Sequence, residues 1–338
     1  MPIRTGRSVL TLPSRPCATG FAAVAGKKEG EGPLGSGFDF IYEDTTLGEK
    51  SWEKAESYML RDAVQRALDK ASLSPSDADM IFAGDLLDQC IGSTFGLREM
   101  NIPFAGVYGA CSTMALSCAM AAVFADSGAC GAGVAATSSH FCSAERQFRF
   151  PLEYGGQRPP TAQWTVTGAG AMVVETDPGN FNGIRIEQVI FGRIRDLGVK
   201  DAANMGAAMA PAAADTIARF LEDTNTTPGD YDIILTGDLG TVGSGLLIKL
   251  LKTENGVDIS KEHRDCGVMI YGGAQDAHAG GSGCGCSASV LCSNILTDML
   301  AGKFKKVLFA ATGALMSPVS SNQGESIPGV AHGVLFSV

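Results

Sequence analysis

The chain has 338 residues, of which 43 are glycine, 18% are charged and 45% are hydrophobic, so it reads as neither disordered nor coiled coil, and glycine without a three-residue period excludes collagen. A net charge of −10 and a pI near 4.9 argue against generic nucleic-acid binding, which needs a basic face to displace phosphate counterions. At roughly 150 residues per domain, this length predicts two domains or one large duplicated unit.

The N-terminus carries Arg4, Arg7 and Arg15 and only the short apolar stretch Phe21 to Ala25, which does not read as a signal peptide. After a cap at Ser51, Met59, Leu60, Ala63, Val64, Ala67, Leu68 and Ala71 recur at helical spacing until Ser74-Pro75 stops them, and a strand follows from Asp79 to Gly84. No charge occurs between Glu99 and Asp126. Asn101, Pro103, Gly106, Gly109, Ser112, Thr113 and Ser117 break this run into a turn, a short strand and a small-residue helix, which predicts a buried central helix rather than a membrane span. Cys111 stands at that strand-to-helix junction. A thiol at a helix N-terminus faces free backbone donors and the positive end of the helix dipole, which predicts a lowered pKa and a nucleophile's position; a small buried core cysteine is the alternative.

Beyond the strand Gly133 to Thr137, Glu145-Arg146-Gln147-Phe148-Arg149-Phe150 combines guanidinium groups with aromatic rings, and Arg158 and Gln163 add donors. Guanidiniums grip carboxylates bidentately and rings stack on planar heterocycles, so in an acidic chain this is the candidate anion site. The alternative is a solvated hairpin whose arginines pair with Glu145 and Glu153. An apolar strand, Gly168 to Glu175, closes this half.

The second half repeats the first. Sliding the chain by 153 residues aligns Asp62 with Asp215, Arg66 with Arg219, Leu68 with Leu221, Pro75 with Pro228, Asp77 with Asp230, Asp79 with Asp232, Ile81 with Ile234, Gly84 with Gly237, Asp85 with Asp238 and Leu86 with Leu239. The second copy is read as a helix with Ile217, Phe220 and Leu221, a stop at Thr227-Pro228 and a strand from Asp232 to Thr236. Helices alternating with strands predict parallel sheets covered on both faces. Gly285-Cys286-Ser287-Ala288 opens a second small-residue helix, Lys306 to Thr312 is the late strand, and Gly329 to Val338 closes the half. The halves divide as residues 1–180 and 181–338.

Within the second half, Tyr271-Gly272-Gly273-Ala274-Gln275-Asp276-Ala277-His278-Ala279-Gly280-Gly281-Ser282-Gly283 embeds a histidine in glycine turns ahead of that helix. Of the four histidines, His140, His263, His278 and His332, His278 is the candidate to pair with Cys111 as base or hydrogen-bond donor, with a structural role as the alternative. The ten cysteines sit mostly among Ala, Gly and Ser without framework spacing and read as reduced core thiols of a cytosolic protein. With no Cys-x-x-Cys pair and no Walker A loop, no metal and no cofactor is expected.

The duplicated halves, the Ala110-Cys111-Ser112 elbow and the segment from Gly272 through His278 to Gly283 resemble the thiolase-like superfamily, which includes thiolases and β-ketoacyl synthases. The resemblance implies an α/β fold, a five-layer αβαβα sandwich with internal pseudo-twofold duplication, usually dimeric. It matches Cys111 to the acyl-accepting cysteine and His278 to the histidine that activates it. Gly329-Val330-Ala331-His332-Gly333 falls on the loop where thiolases place a second catalytic cysteine, so His332 is expected to line the pocket. Condensing enzymes need a His or Asn on the loop after the second half's first strand, where it helps stabilise a developing enolate. Asp238 stands there and adds negative charge where negative charge must develop. That departure points to a site retained for binding, with Cys111 and His278 vestigial.

Longer segments, Lys27 to Gly35, Ser51 to Glu56, Glu145 to Pro151 and Gln157 to Trp164, resemble the stage V sporulation protein AD family of spore-forming bacteria over essentially the whole chain. This implies a non-catalytic protein that binds dipicolinic acid (pyridine-2,6-dicarboxylate), free or as its calcium chelate, and takes part in its uptake into the developing spore. It further implies a homodimer on the cytoplasmic side, peripheral to the inner membrane of the forespore, with membrane-embedded SpoVA proteins as partners and no nucleic acid. The expected ligand-binding set is Cys111, His140, Arg146, Arg149, Arg158, Gln163, Asp238, His278 and His332. The alternatives are an active thiolase or acyl synthase with Cys111 as nucleophile, and a purely structural partner of a membrane complex.

Overall fold

Ser51 caps the helix Trp52–Lys70, and Met59, Leu60, Ala63, Val64, Ala67 and Leu68 form its buried stripe. The stripe covers the strands Cys17–Gly26, Met80–Gly84, Ala132–Ser139 and Gly168–Glu175. The helix lies close because Gly20 has no side chain: a Cβ there would stand 2.2 Å from the Ala67 carbonyl oxygen. The structure, a computed structural model, describes residues 1–148, 158–176, 179 and 181–338.

Five strands of the first half run in the order Cys17–Gly26, Gly168–Glu175, Ala132–Ser139, Met80–Gly84, Phe104–Gly106. The last three are parallel, and Gly168–Glu175 is antiparallel to both its neighbours. The second half repeats this order and sense with Arg185–Ile190, Gly329–Ser337, Lys306–Ala314, Ile233–Thr236 and His263–Asp265. The two arrays meet through one residue pair, Arg185 with Cys17. Repetition reaches the details. The helix Met205–Thr224 answers Trp52–Lys70, the turns Pro75–Asp77 and Pro228–Asp230 carry matching capping boxes, and Asp62–Arg66 and Asp215–Arg219 form ion pairs at 3.0 and 3.7 Å.

Side chains alternate across each sheet with the period of two that a strand imposes. Val134, Ala136, Ala171 and Val173 face the outer helix, while Ala135, Met172 and Val174 face inward. In the second half Ile234, Leu308 and Leu335 face Met205–Thr224, and Leu235, Phe309 and Phe336 face inward. The inner faces enclose the helix Thr113–Ser127 and the helical run Cys284–Leu300, so the layers read helix, sheet, helix, sheet, helix. This is the five-layer sandwich that the resemblance implied. At Gly170 a Cβ would stand 2.5 Å from the Ala288 carbonyl oxygen, so the central layer also depends on close backbone approach.

The charge-free run becomes the central helix. Ala110–Ser127 is the one stretch among the described residues long and apolar enough to cross a membrane, and 72% of it is buried inside the fold. All ten cysteines are free thiols, nine of them buried. The apolar stretch Phe21 to Ala25 is the middle of the strand Cys17–Gly26.

Candidate functional site

Parallel strands deliver their carboxyl ends to one side of a sheet, where loops are free to build a site. Here Met80–Gly84 leads into Asp85 and Leu86, Ile233–Thr236 into Asp238, and Lys306–Ala314 ends beside Met316. Between Phe104–Gly106 and the central helix, Ala110 takes the left-handed conformation (φ 48°), an uncommon state for a residue with a Cβ. Cys111 follows it directly. These elements form a narrow pocket, with a cavity volume of about 40 Å³, whose walls are Leu86, Ala144, Phe148, Met205, Ala314 and Met316. Tyr108, Cys111, Thr165 and Ser282 supply its polar side chains, and no Lys, Arg or His lines it among the described residues.

Asp238 sits fully buried beside the thiol. Its carboxylate accepts from the Gly283 N–H at 2.9 Å and the Thr312 hydroxyl at 3.0 Å, and from Cys111. Burial lifts this carboxyl to about 7 despite those bonds, with Asp265 also raising it. Cys111 is held well above the usual thiol range, first by burial and then by the Asp238 and Cys284 groups. The lowered pKa expected from the helix N-terminus is therefore corrected: desolvation and a neighbouring acid outweigh the helix end.

Asp238 and Cys111 are the expected site residues that the structure brings together. Gln163 stands behind them, its amide donating to the carbonyls of Asp238 at 2.7 Å and Gly281 at 2.8 Å. His278 does not join them. Its ring pairs with Asp276 at 3.3 Å and lines a separate surface pocket with Thr241, Tyr271 and Gly280, and left-handed backbone at both Asp276 and His278 shapes that loop. His332 is also elsewhere, because Gly329 to Gly333 is a strand paired residue for residue with Ala314 to Ala310 rather than a loop. Its Nδ1 accepts from the Gly192 N–H at 3.2 Å, and burial lowers its pKa to about 4.

The remaining members of the anion cluster are spread out. His140 is buried with both ring nitrogens used, one bonded to the Thr45 carbonyl at 2.8 Å and the other accepting from the Cys142 N–H at 3.1 Å. Arg146 is ion-paired with Glu53 on the surface, above the Trp52 ring. Arg158 bonds the Gln163 carbonyl and lies over Trp164, a ring that also carries Lys28 on a face and stacks on Phe141. Arg149 lies outside the described residues. Sequence reasoning missed Cys284, Ser282 and Thr312 as site residues, and the apolar walls Met205 and Met316. Cys284 packs against Cys111 and donates to the Ser138 carbonyl at 2.9 Å. The repeat marked Asp238 as a strand end and so pointed to this region; nothing in the sequence distinguishes two wall methionines from ten others.

A family model described as stage V sporulation protein AD (SpoVAD) matches residues 6–337. The stage V sporulation protein AD of Bacillus subtilis (strain 168) is 49% identical over 313 residues, covering 93% of this chain and 91% of that protein. Among solved structures, 3-oxoacyl-[acyl-carrier-protein] synthase III from Aquifex aeolicus VF5 superposes with a TM-score of 0.58 at 15% identity, covering 96% of this chain and all of that one. Cerulenin-bound OleA of Xanthomonas campestris superposes with a TM-score of 0.62 at 12% identity over the whole of both chains. These likenesses are of fold.

Proposed function

The chain belongs to the stage V sporulation protein AD family, and from that premise we propose that it is a non-catalytic binding protein for dipicolinic acid, serving the uptake of that acid into the developing spore. One observation carries the reading: the pocket is present, but its thiol is bonded to a buried acid, and no histidine lines it among the described residues. A thiol needs its thiolate form and a base to attack an acyl group. The cavity of about 40 Å³ must widen to admit a planar pyridine ring, which would then meet the apolar side chains of Leu86, Ala144, Phe148 and Met316, with the Ser282 hydroxyl and the Cys111 thiol as polar contacts. Ser282 Oγ is buried without a hydrogen-bond partner, which leaves a donor for a ligand carboxylate. The calcium chelate of the dianion has no net charge, which fits a pocket without cations among its described residues. Phe148 in the wall also hands the chain to Arg149, the arginine best placed in sequence to meet a carboxylate.

The reading carries with it a homodimer, peripheral to the inner forespore membrane on its cytoplasmic side, with membrane-embedded SpoVA proteins as partners. Calorimetry with dipicolinic acid and with its calcium chelate tests the core of it. Saturable binding that weakens in Cys111→Ala and in Arg149→Ala is expected, and no detectable heat at millimolar ligand would end the proposal. A second reading, acyl transfer from Cys111, is favoured by the thiol's place in the pocket wall. Incubation with acyl-CoA and intact mass measurement separates the two, since an adduct that disappears in Cys111→Ala belongs to an enzyme.

A further inference from the structure

Glu56 and Asp85 are buried side by side behind the pocket, 1% and 0% exposed. A Cβ placed on Gly92 would stand 3.0 Å from the Asp85 carboxyl carbon and 3.3 Å from Glu56 Oε1, so the two carboxyls meet across one glycine. Among the described residues neither has a cation within ion-pair distance. Asp85 is surrounded by donors: the Leu87 N–H at 2.9 Å, and the Ser93 N–H and hydroxyl at 2.7 Å each.

Glu56 is placed differently. Its Oε1 accepts from the Ser138 hydroxyl at 3.2 Å, and its Oε2 lies 2.6 Å from Ser143 Oγ. That same hydroxyl lies 3.0 Å from the His140 carbonyl oxygen. A serine has one hydrogen to donate. Both contacts are full hydrogen bonds only when the carboxyl brings the second hydrogen, so that the Glu56 O–H donates to Ser143 Oγ and the Ser143 O–H donates to the carbonyl.

From this hydrogen count and the burial of the pair, we infer that Glu56 carries a proton in the folded protein at neutral pH, and that this proton fastens the pocket-wall helix Phe141–Phe148 to the outer helix Trp52–Lys70. The two acids hold two different walls. Asp85 fixes the turn that presents Leu86, and Ser143 adjoins Ala144 on the helix that also presents Phe148. The titratable groups around the pair are Glu53 one turn back on Glu56's own helix, paired with Arg146; Cys90 on the turn after Asp85; Cys284 from the central layer; and His140, whose ring is already bonded. None supplies a positive charge to the pair, so two ionised carboxyls would repel without compensation. Burial, and then Asp85, push the Glu56 carboxyl up to about 8, in keeping with the hydrogen count. Above that pH the proton leaves, Ser143 can no longer satisfy both neighbours, and the helix loses its anchor. The pocket is then firm in neutral and acid solution and loosens in alkali, whatever ligand it takes.

Infrared difference spectra of the full chain in water and heavy water test the proton directly. At pH 7 the wild-type spectrum minus that of Glu56→Gln should show a neutral-carboxyl carbonyl component, over and above the one Asp238 gives in both, and this difference should titrate away as pH is raised to 9. Amide exchange across residues 141–148, corrected for intrinsic base catalysis, should rise at least tenfold in the wild type between pH 6 and 9. It should stay flat in Glu56→Gln, which keeps a neutral donor, and be fast throughout in Glu56→Ala. A neutral-carboxyl signal at pH 7 that is no weaker in Glu56→Gln than in the wild type, or an exchange profile in that variant that tracks the wild type, would overturn the inference. Should Glu56→Gln not fold, Asp85→Asn serves: removing the second charge must let Glu56 lose its proton at a lower pH, so the infrared titration and the rise in exchange across residues 141–148 both move to lower pH, and an unmoved infrared titration would equally overturn the idea.

Discussion

Replacing Asp238 with asparagine removes an acid that the fold buries at a cost. Its folded pKa, about 7, lies above the ordinary 3.8, because burial outweighs the bonds it accepts. Stability from this group is therefore whole below about pH 4 and is lost as pH rises to about 7. Some three pH units at about 1.36 kcal/mol each amount to roughly 4 kcal/mol lost by pH 8. Asparagine keeps the shape: its carbonyl oxygen can accept from the Gly283 N–H, and its amide can donate to the Thr312 hydroxyl, which rotates to receive it. Imperfect bonding costs about 1 kcal/mol. The variant's stability should thus cross that of the wild type near pH 5 and exceed it by about 3 kcal/mol at pH 8. With an unfolding entropy of about 2.1 cal/mol/K per residue over 338 residues, that is roughly 4 °C in Tm by scanning calorimetry. The same change should speed alkylation of Cys111 by iodoacetamide at pH 8, because a neighbouring negative charge is gone. Parallel stability curves for variant and wild type between pH 5 and 8 would refute the buried-acid argument.

His278→Ala should leave Cys111 alkylation nearly unchanged, whereas losing a true general base costs about 10²–10⁴-fold. Gly170→Ala should lower the urea midpoint at unchanged slope, because a Cβ 2.5 Å from the Ala288 carbonyl must push the helical run Cys284–Leu300 off its sheet, at about 1–3 kcal/mol or more. Asp223→Ala should free the turn between the paired strands Ile3–Thr5 and Val9–Thr11, since this carboxylate accepts from the backbone N–H groups of Arg7, Ser8 and Val9 at 2.9, 2.6 and 3.2 Å; amide exchange at Val9 should rise by roughly fivefold or more. Those bonds hold the Asp223 carboxyl below its ordinary 3.8, so the latch should hold above that pH and fail as pH falls through its folded value.

What the sequence disclosed was what local chemistry writes into it. A cap at Ser51 and a stripe at helical spacing placed the start of Trp52–Lys70, the helix ending four residues before the expected Ser74-Pro75 stop, and the 153-residue repeat then placed its twin Met205–Thr224. The first strand of each half was not read. Cys17–Gly26 is buried on both faces, so its small apolar residues show no alternation to mark a strand. Cys111 was located correctly, but its ionisation was not, because the deciding groups, Asp238 and the surrounding burial, arrive only when the halves fold together. His278 misled for the opposite reason. Glycines around a histidine look like a ligand loop, and the two left-handed residues that shape that loop, Asp276 and His278, carry no sequence signal.

The repeat also explains why an acid stands beside the pocket's thiol. Asp85 and Asp238 are one position in two copies, each at the carboxyl end of its half's first parallel strand, each fully buried. In the first half the acid closes its own loop through Leu87 and Ser93. In the second, the loop is held by a different acid, Asp265, which accepts from the N–H groups of Leu239 and Gly240 at 2.8 and 2.9 Å. That frees Asp238 to reach Gly283, Thr312 and the thiol. The repeated aspartate therefore closes its own loop in one half and stands behind the pocket's thiol in the other. The division follows from which half has a second acid to take over the loop, so removing Asp265's carboxylate would draw Asp238 back toward the role its twin still performs.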